Sequence, residues 1–276
     1  MQKTRHWSVW EREFKATKSY EKPFVDVRVA VEFTSPTGRV LTVEGFHDGD
    51  NLWRVRFAPD EPGKWRFRCS SLPEDHGFTE EGSFEVEGVP TEKGFIRADR
   101  NVGWGFRWDD GAPAFLMGDT MYNLFGYAYS GYDTRALLEH RKSQGFDLIR
   151  VRAFPSTFHR WPSRYFRWQT REVWPWGGIP QSPLFDEFNL DYFRTVDDVV
   201  RLCDELNLGL EFIFEAWMFE FPFNDRARFT AEDEELWIRY LVARYGAFRS
   251  IYIWTTANEH IYYPAGYLKT HPWEMN

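Results

Sequence analysis

Asn258 and Glu259 follow a run of β-branched and aromatic residues, Ile251-Tyr252-Ile253-Trp254-Thr255-Thr256-Ala257. Such a run reads as a buried strand, and its abrupt end in a polar pair sets a carboxylate at the mouth of a sheet. Three other short apolar runs end in, or carry, groups able to do chemistry. Asp119 and Thr120 close the first, Arg150 and Arg152 sit in the second, and Glu215 with nearby Trp217 ends the third. If these are parallel strands whose C-terminal ends converge, carboxylates, arginines and an amide meet at one site. That set suits glycosidic-bond hydrolysis. One carboxylic acid protonates the leaving oxygen while a second acts as nucleophile or base. A neighbouring carboxylate and aromatic surroundings raise the acid's pKa, and Asn258 can donate a hydrogen bond to a sugar hydroxyl.

Each residue also has a plainer reading. Glu215 can pair with an arginine inside the fold. Arg150 and Arg152, two apart, share one side of their strand and are better suited to holding carboxylates than to touching substrate. Asp119 can cap a short turn instead of binding substrate. Between Ala153 and Asp186 lies a long segment carrying Trp161, Tyr165, Trp168, Trp174 and Trp176. An irregular connection of that length is usually functional, so Trp161 and Trp168 are candidates for stacking on sugar rings. The alternative is that each tryptophan packs the loop down. No His-Glu-x-x-His spacing joins His140, His159 or His260, and no Gly-x-Ser-x-Gly elbow is present. Neither a metal nor any other cofactor is expected.

The elements that must position these groups divide the chain in two. Up to about Pro90, short alternating segments are separated by Gly and Pro turns. Val25, Val27, Val29, Val31 and Phe33 alternate with polar or small residues, followed by Val40 to Val43, Leu52 to Phe57, Trp65 to Cys69 and Gly82 to Val86. This pattern predicts a β-sandwich over residues 1–93. Residues 94–110 read as a linker and hairpin with Asp109-Asp110-Gly111 as its turn.

Beyond Pro113 strands and helices alternate. Ala114 to Met117 is expected to be a strand leading into Gly118-Asp119-Thr120. A helix begins at the cap Asp133 and stops before Gly145, and the strand Leu148 to Arg152 follows. Asn189 caps a helix with Phe193, Val196, Val200, Cys203 and Leu206 at helical spacing, before the strand Leu210 to Phe214. Thr230-Ala231-Glu232-Asp233 is a capping box that starts a further helix. Repeated strand–helix alternation predicts a parallel sheet. No Gly-rich phosphate loop follows a strand, so residues 94–276 read as the first half of a (β/α)8 barrel.

Composition narrows the partners. The 276 residues carry a net charge of −8, no long basic run and no long apolar stretch, which argues against nucleic-acid and membrane partners. Aromatic residues make up 19% of the chain, a fraction suited to surfaces that meet sugars. Cys69 and Cys203 fall in different halves and read as buried reduced thiols. With no apolar leader at the start, this is consistent with a cytoplasmic location, or a secreted one had a leader been removed.

These residues resemble known families. Asp48-Gly49-Asp50 through Arg56-Phe57-Ala58-Pro59, then Pro62-Gly63-Lys64-Trp65, resembles an Ig-like domain of unknown function that precedes many bacterial glycosidases. Asp110-Gly111-Ala112-Pro113 leading to Gly118-Asp119-Thr120, and Ile149-Arg150-Val151-Arg152-Ala153-Phe154-Pro155, resemble the first two strands of apiosidase-like (β/α)8 glycoside hydrolases. Asn258-Glu259 is similar to the fourth-strand pair of retaining barrel glycosidases, whose Glu is the acid/base. The resemblance implies a bacterial enzyme acting on plant or microbial polysaccharides or oligosaccharides. Its nucleophile would end a seventh strand, which this chain does not reach, and no residue here matches it. A half-barrel leaves sheet edges open. The favoured expectation is a fragment of a longer reading frame. A homo-oligomer that completes the barrel, and a non-catalytic carbohydrate-binding or structural protein, are the other two.

Overall fold

The computed structural model describes residues 2–88, 93–103, 105–155, 173–215 and 221–258. They fall into two compact units, one within Met1–Phe115 and Arg239–Arg249, the other within Leu116–Ile238 and Ser250–Asn276.

The first unit is built on two sheets. One has the order β1 (Gln2–Arg5), β8 (Glu81–Glu87), β7 (Gly63–Leu72), β3 (Arg28–Thr34), β4 (Val40–Glu44). The other has the order β2 (Trp10–Lys15), β6 (Leu52–Phe57), β5 (Phe46–His47). Alternation sends Val29, Val31 and Phe33 of β3, Trp65 and Phe67 of β7, Trp10 and Phe14 of β2 and Trp53 and Val55 of β6 into one buried core. Trp10 stacks on Phe84 and meets Phe33 edge to face, so the aromatic content is largely core filling here. A third, small sheet runs β11 (Pro113–Ala114), β10 (Gly105–Trp108), β9 (Ile96–Asp99), and the expected Asp109-Asp110-Gly111 turn joins β10 to β11.

Two expectations about strands need correction. Val25 is not in a strand. It lies in the short helix α1 (Pro23–Asp26), where Pro23 presets helical φ at the first turn, and it is exposed. Nor does an apolar strand run through Ala114–Met117. Ala114 is taken by antiparallel pairing with Phe106, Phe115 is 86% exposed, and the parallel ladder starts only at Gly118. Residues 115–117 belong to no strand, and the available hydrogen-bonding partners set where each strand ends and begins.

The second unit holds a four-stranded parallel sheet, β12 (Gly118–Thr120), β13 (Leu148–Arg152), β16 (Gly209–Glu215), β17 (Ile251–Ala257), in sequential order. The connections carry α2 (Leu124–Tyr129) and α3 (Thr134–Ser143), then α4 (Leu190–Glu205), then α5 (Ala231–Tyr245). Asp133 caps α3 by accepting from the Ala136 amide, and Gly145 at φ +89° takes the left-handed conformation that ends it. Asn189 caps α4 by accepting from the Tyr192 amide. α4 buries Phe193, Val196, Val200 and Cys203 of the expected stripe, with Tyr192 and Val199 beside them, while Leu206 is its half-buried C-cap. In α5, the Thr230 amide donates to Asp233 and the Asp233 amide to the Thr230 hydroxyl, which is the capping box. Gly209 opens β16 because a Cβ there would stand 2.0 Å from the Tyr252 ring.

The connection from Ala153 to Asp186 is not irregular throughout. It contains β14 (Trp176–Ile179) and the start of β15 (Ser182–Phe188), an antiparallel pair. Trp174 and Trp176 are buried against Phe154, Phe185 and Trp237, so these two pack the core and do not offer an open sugar platform. Trp161, Tyr165 and Trp168 lie outside the described residues.

Candidate active site

The sheet of the second unit gathers its polar groups around Arg150 of β13. The side chain of this residue spends three donors in three directions. Nε donates to Glu211 Oε1 at 2.9 Å, Nη1 to the Tyr122 hydroxyl at 3.2 Å and Nη2 to Asn258 Oδ1 at 2.8 Å. Register explains the first contact, since Arg150 stands beside Glu211 across the β13–β16 ladder and paired residues of a parallel ladder share a face. Thr255 of β17 donates its hydroxyl to the same Glu211 oxygen at 2.9 Å. Asn258, one residue past β17, is fully buried, and its Nδ2 has no hydrogen-bond partner among the described residues.

Arg152, two residues on, is almost fully buried. The guanidinium groups of Arg150 and Arg152 both lie 5.6 Å from the Tyr122 ring centroid, so one aromatic ring is shared by two cations. The Tyr192 hydroxyl donates to the carbonyl of Ala153, the residue after Arg152, at 2.6 Å. Burial lifts the Tyr192 phenol well above its ordinary pKa, against the opposing charge of Arg152.

Glu215 ends β16 fully buried, and Arg226 Nη2 donates to its two oxygens at 3.0 and 3.3 Å. Arg226 Nη1 lies 3.7 Å from Glu234, a second fully buried carboxylate, on α5. Two buried acids around one arginine are bound by charge, and each needs the guanidinium to offset its desolvation. Glu215 therefore has the arginine partner that its plainer reading required.

Asp119 is placed apart from this group. It pairs in register with Ile149, so it shares the face of Ile149 and not that of Arg150. Its carboxylate accepts from the Thr120 amide and stands 2.7 Å from Arg141 Nε of α3, an ion pair whose N–H is not aligned on the oxygen. Glu259 and Trp217 lie outside the described residues, as do Trp161 and Trp168. Among the described residues no group of three or more His, Cys, Asp or Glu side chains could hold a metal ion.

The structure thus brings together Arg150, Arg152 and Asn258, and adds Tyr122, Glu211 and Thr255. None of the added three was singled out from the sequence. Glu211 did leave a signal, because one charge interrupts Gly209-Leu210-Glu211-Phe212-Ile213-Phe214, otherwise wholly apolar. Tyr122 left none, since a tyrosine after a strand is as common in packing as in a site. Chemically, the cluster is a hydrogen-bonded chain that starts at Glu211 and Arg150 within the strands and ends at Asn258, past the C-terminal end of β17, the end where ligands bind in such folds.

Comparison with known proteins gives the family. The profile of the apiosidase-like catalytic domain matches residues 104–273, and that of a domain of unknown function, DUF5060, matches residues 3–72. The chain belongs to the apiosidase-like family, with a DUF5060 domain at its N-terminal side. A Bacteroides vulgatus protein assigned as a glycoside hydrolase superposes with a TM-score of 0.78 at 24% identity. That match covers 95% of this chain and 50% of the other, so the chain spans half the length of that structure. It shows a sheet-rich chain with an α/β domain related to glycoside hydrolase folds. A family 5 mannosidase of Rhizomucor miehei gives a TM-score of 0.44 at 16% identity, over 63% of this chain and 51% of its own, and adds nothing to the assignment. A search of curated proteins found no match.

Proposed function

We propose that the chain belongs to a retaining glycoside hydrolase that cleaves O-glycosidic bonds of plant or microbial polysaccharides or oligosaccharides, with Glu259 as the acid/base. In this reading residues 1–93 are an Ig-like β-sandwich and residues 94–276 the first half of a (β/α)8 barrel. The observation that carries it is the Asn258 amide. It is fully buried at the C-terminal end of β17, held at Oδ1 by Arg150, and directly precedes Glu259. A donor fixed beside a carboxylate suits an acid/base residue whose neighbour grips a sugar hydroxyl more tightly in the transition state. The partner carboxylate is supplied by chain outside these 276 residues. The four-stranded parallel sheet, half the strand number of a (β/α)8 barrel, and coverage of half the Bacteroides structure support this reading.

Aryl glycosides and oligosaccharides of several sugars, offered to the full-length gene product, test the reading. Glu259→Gln is expected to lower turnover of oligosaccharides about 10²–10⁴-fold and to remove the alkaline limb of the pH profile. Azide is expected to restore turnover of aryl glycosides with good leaving groups, giving a glycosyl azide of retained configuration. A parent without hydrolysis on any of them, or a Glu259→Gln variant as active as the parent, would overturn it.

A further inference from the structure

We propose that Glu211 is a positioning residue for the Asn258 amide, acting through the Arg150 guanidinium. The inference deepens the proposed function, because it concerns the substrate contact that reading assigns to Asn258.

A carboxylate in the middle of an apolar strand is costly to bury, and the Glu211 side chain is only 18% exposed. What it does there is geometric. Its Oε1 accepts from both Arg150 Nε and Thr255 Oγ1, each at 2.9 Å, so the acceptor is itself pinned by β17. A guanidinium is planar, with its donors in a rigid fork, so holding Nε fixes where the other two nitrogens point. Tyr122 receives Nη1, and Nη2 is left directed at Asn258 Oδ1, 2.8 Å away. A carboxamide has one oxygen and one NH2 group. Once the oxygen faces Arg150, the NH2 must face the opposite way. That Nδ2 is the buried donor with no partner among the described residues. The chain of contacts therefore runs Thr255, Glu211, Arg150, Asn258, and ends in the donor that the proposed function assigns to the sugar hydroxyl. Glu211 acts on its orientation without touching the ligand.

A double-mutant cycle on the full-length gene product tests the proposal. Glu211→Gln keeps size and shape but offers Arg150 a neutral acceptor. It is expected to lower kcat/KM about tenfold in the parent background, chiefly through kcat, and less than twofold in an Asn258→Ala background. Equal factors in both backgrounds would show that Glu211 does not act through Asn258 and would sink the proposal. A second readout does not depend on hydrolysis. The side-chain amide NMR signals of Asn258, assigned by their loss in Asn258→Ala, are expected to shift in Glu211→Gln, and unmoved signals overturn the inference. The two failures stay separable, since an inactive parent counts against the glycosidase reading while the amide signals still judge this one. Should Glu211→Gln fail to fold, Thr255→Val removes one pin and is expected to move the same signals less far. No movement there is equally fatal.

Discussion

Asp75 accepts more hydrogen bonds than its size suggests. Its carboxylate takes the Thr17 amide at 2.9 Å, the Thr17 hydroxyl at 2.6 Å, the Lys18 amide at 3.0 Å, the Tyr20 hydroxyl at 2.9 Å and the Gly77 amide at 2.8 Å. Burial alone would raise its pKa, but the bonds from Thr17, Gly77 and Tyr20 outweigh it and hold the carboxyl well below the usual range. The folded pKa lies below the unfolded one, so this contribution is present above about pH 3.9 and is lost as pH falls toward the folded value. Asp75→Asn is expected to destabilise the protein by on the order of 2–3 kcal/mol at neutral pH, because several donors lose a charged acceptor. Urea midpoints at pH 7 and pH 3 check both statements: the gap between parent and variant should narrow at the lower pH. An equal gap at the two values would count against the charge argument. The same logic of buried donors and acceptors governs the candidate site, where Arg150 joins residues far apart in the chain. Asn258 was legible from its place after a strand and Glu211 only as a charge in an apolar run; that Glu211 and Tyr122 meet Arg150 was not, because a register and a turn bring them there.

Asn189 acts on two elements at once. Its Oδ1 caps α4 at the Tyr192 amide, and its Nδ2 donates to the Trp174 carbonyl at 3.0 Å, tying the residues before β14 to the helix. Asn189→Ala is expected to cost about 1–2 kcal/mol, while Asn189→Asp keeps the cap but loses the donor to Trp174 and so recovers only part of it. Thermal unfolding midpoints of the two variants measure the difference, and identical losses would show that the cap contributes nothing. Helix starts were readable at this scale because a cap is a local hydrogen bond between near neighbours, as at Asp133, Asn189 and Thr230. Strand identity was less so. β13, β16 and β17 carry strong apolar runs and fell within a residue or so of expectation. The run at Ala114–Met117 did not, because β10 claims Ala114 and leaves Phe115 to solvent. The pair β14–β15 was hidden because its glycines and prolines look like loop residues until they find each other across the hairpin.

The two cysteines report on the molecule as a whole. Cys69 lies in the first compact unit and Cys203 in the second, and both are buried. Burial, helped by the charge of Glu80, pushes the Cys69 thiol up to about 12, and burial raises Cys203 further. Neither is expected to react with an aromatic disulfide reagent at pH 8 in the native protein, since thiolate and access are both lacking. Labelling along a urea gradient, with Cys69→Ser and Cys203→Ser to identify each site, then follows the two units separately. Rapid labelling of either thiol without urea would contradict the burial. No helix among the described residues is long and apolar enough to cross a membrane.

Alternation, caps and the apolar runs are carried by residues close in the chain, and the sequence alone therefore determined the β-rich first part, the strand–helix alternation of the second, and Asn258 at a strand end. Which oxygen meets which donor depends on register between strands separated by dozens of residues. Only the tertiary structure could decide that Asp119 turns to Arg141, that Glu215 belongs to Arg226, and that Arg150 meets Glu211, Tyr122 and Asn258 at once. A shift of one residue in any ladder would turn these side chains to the other face of the sheet.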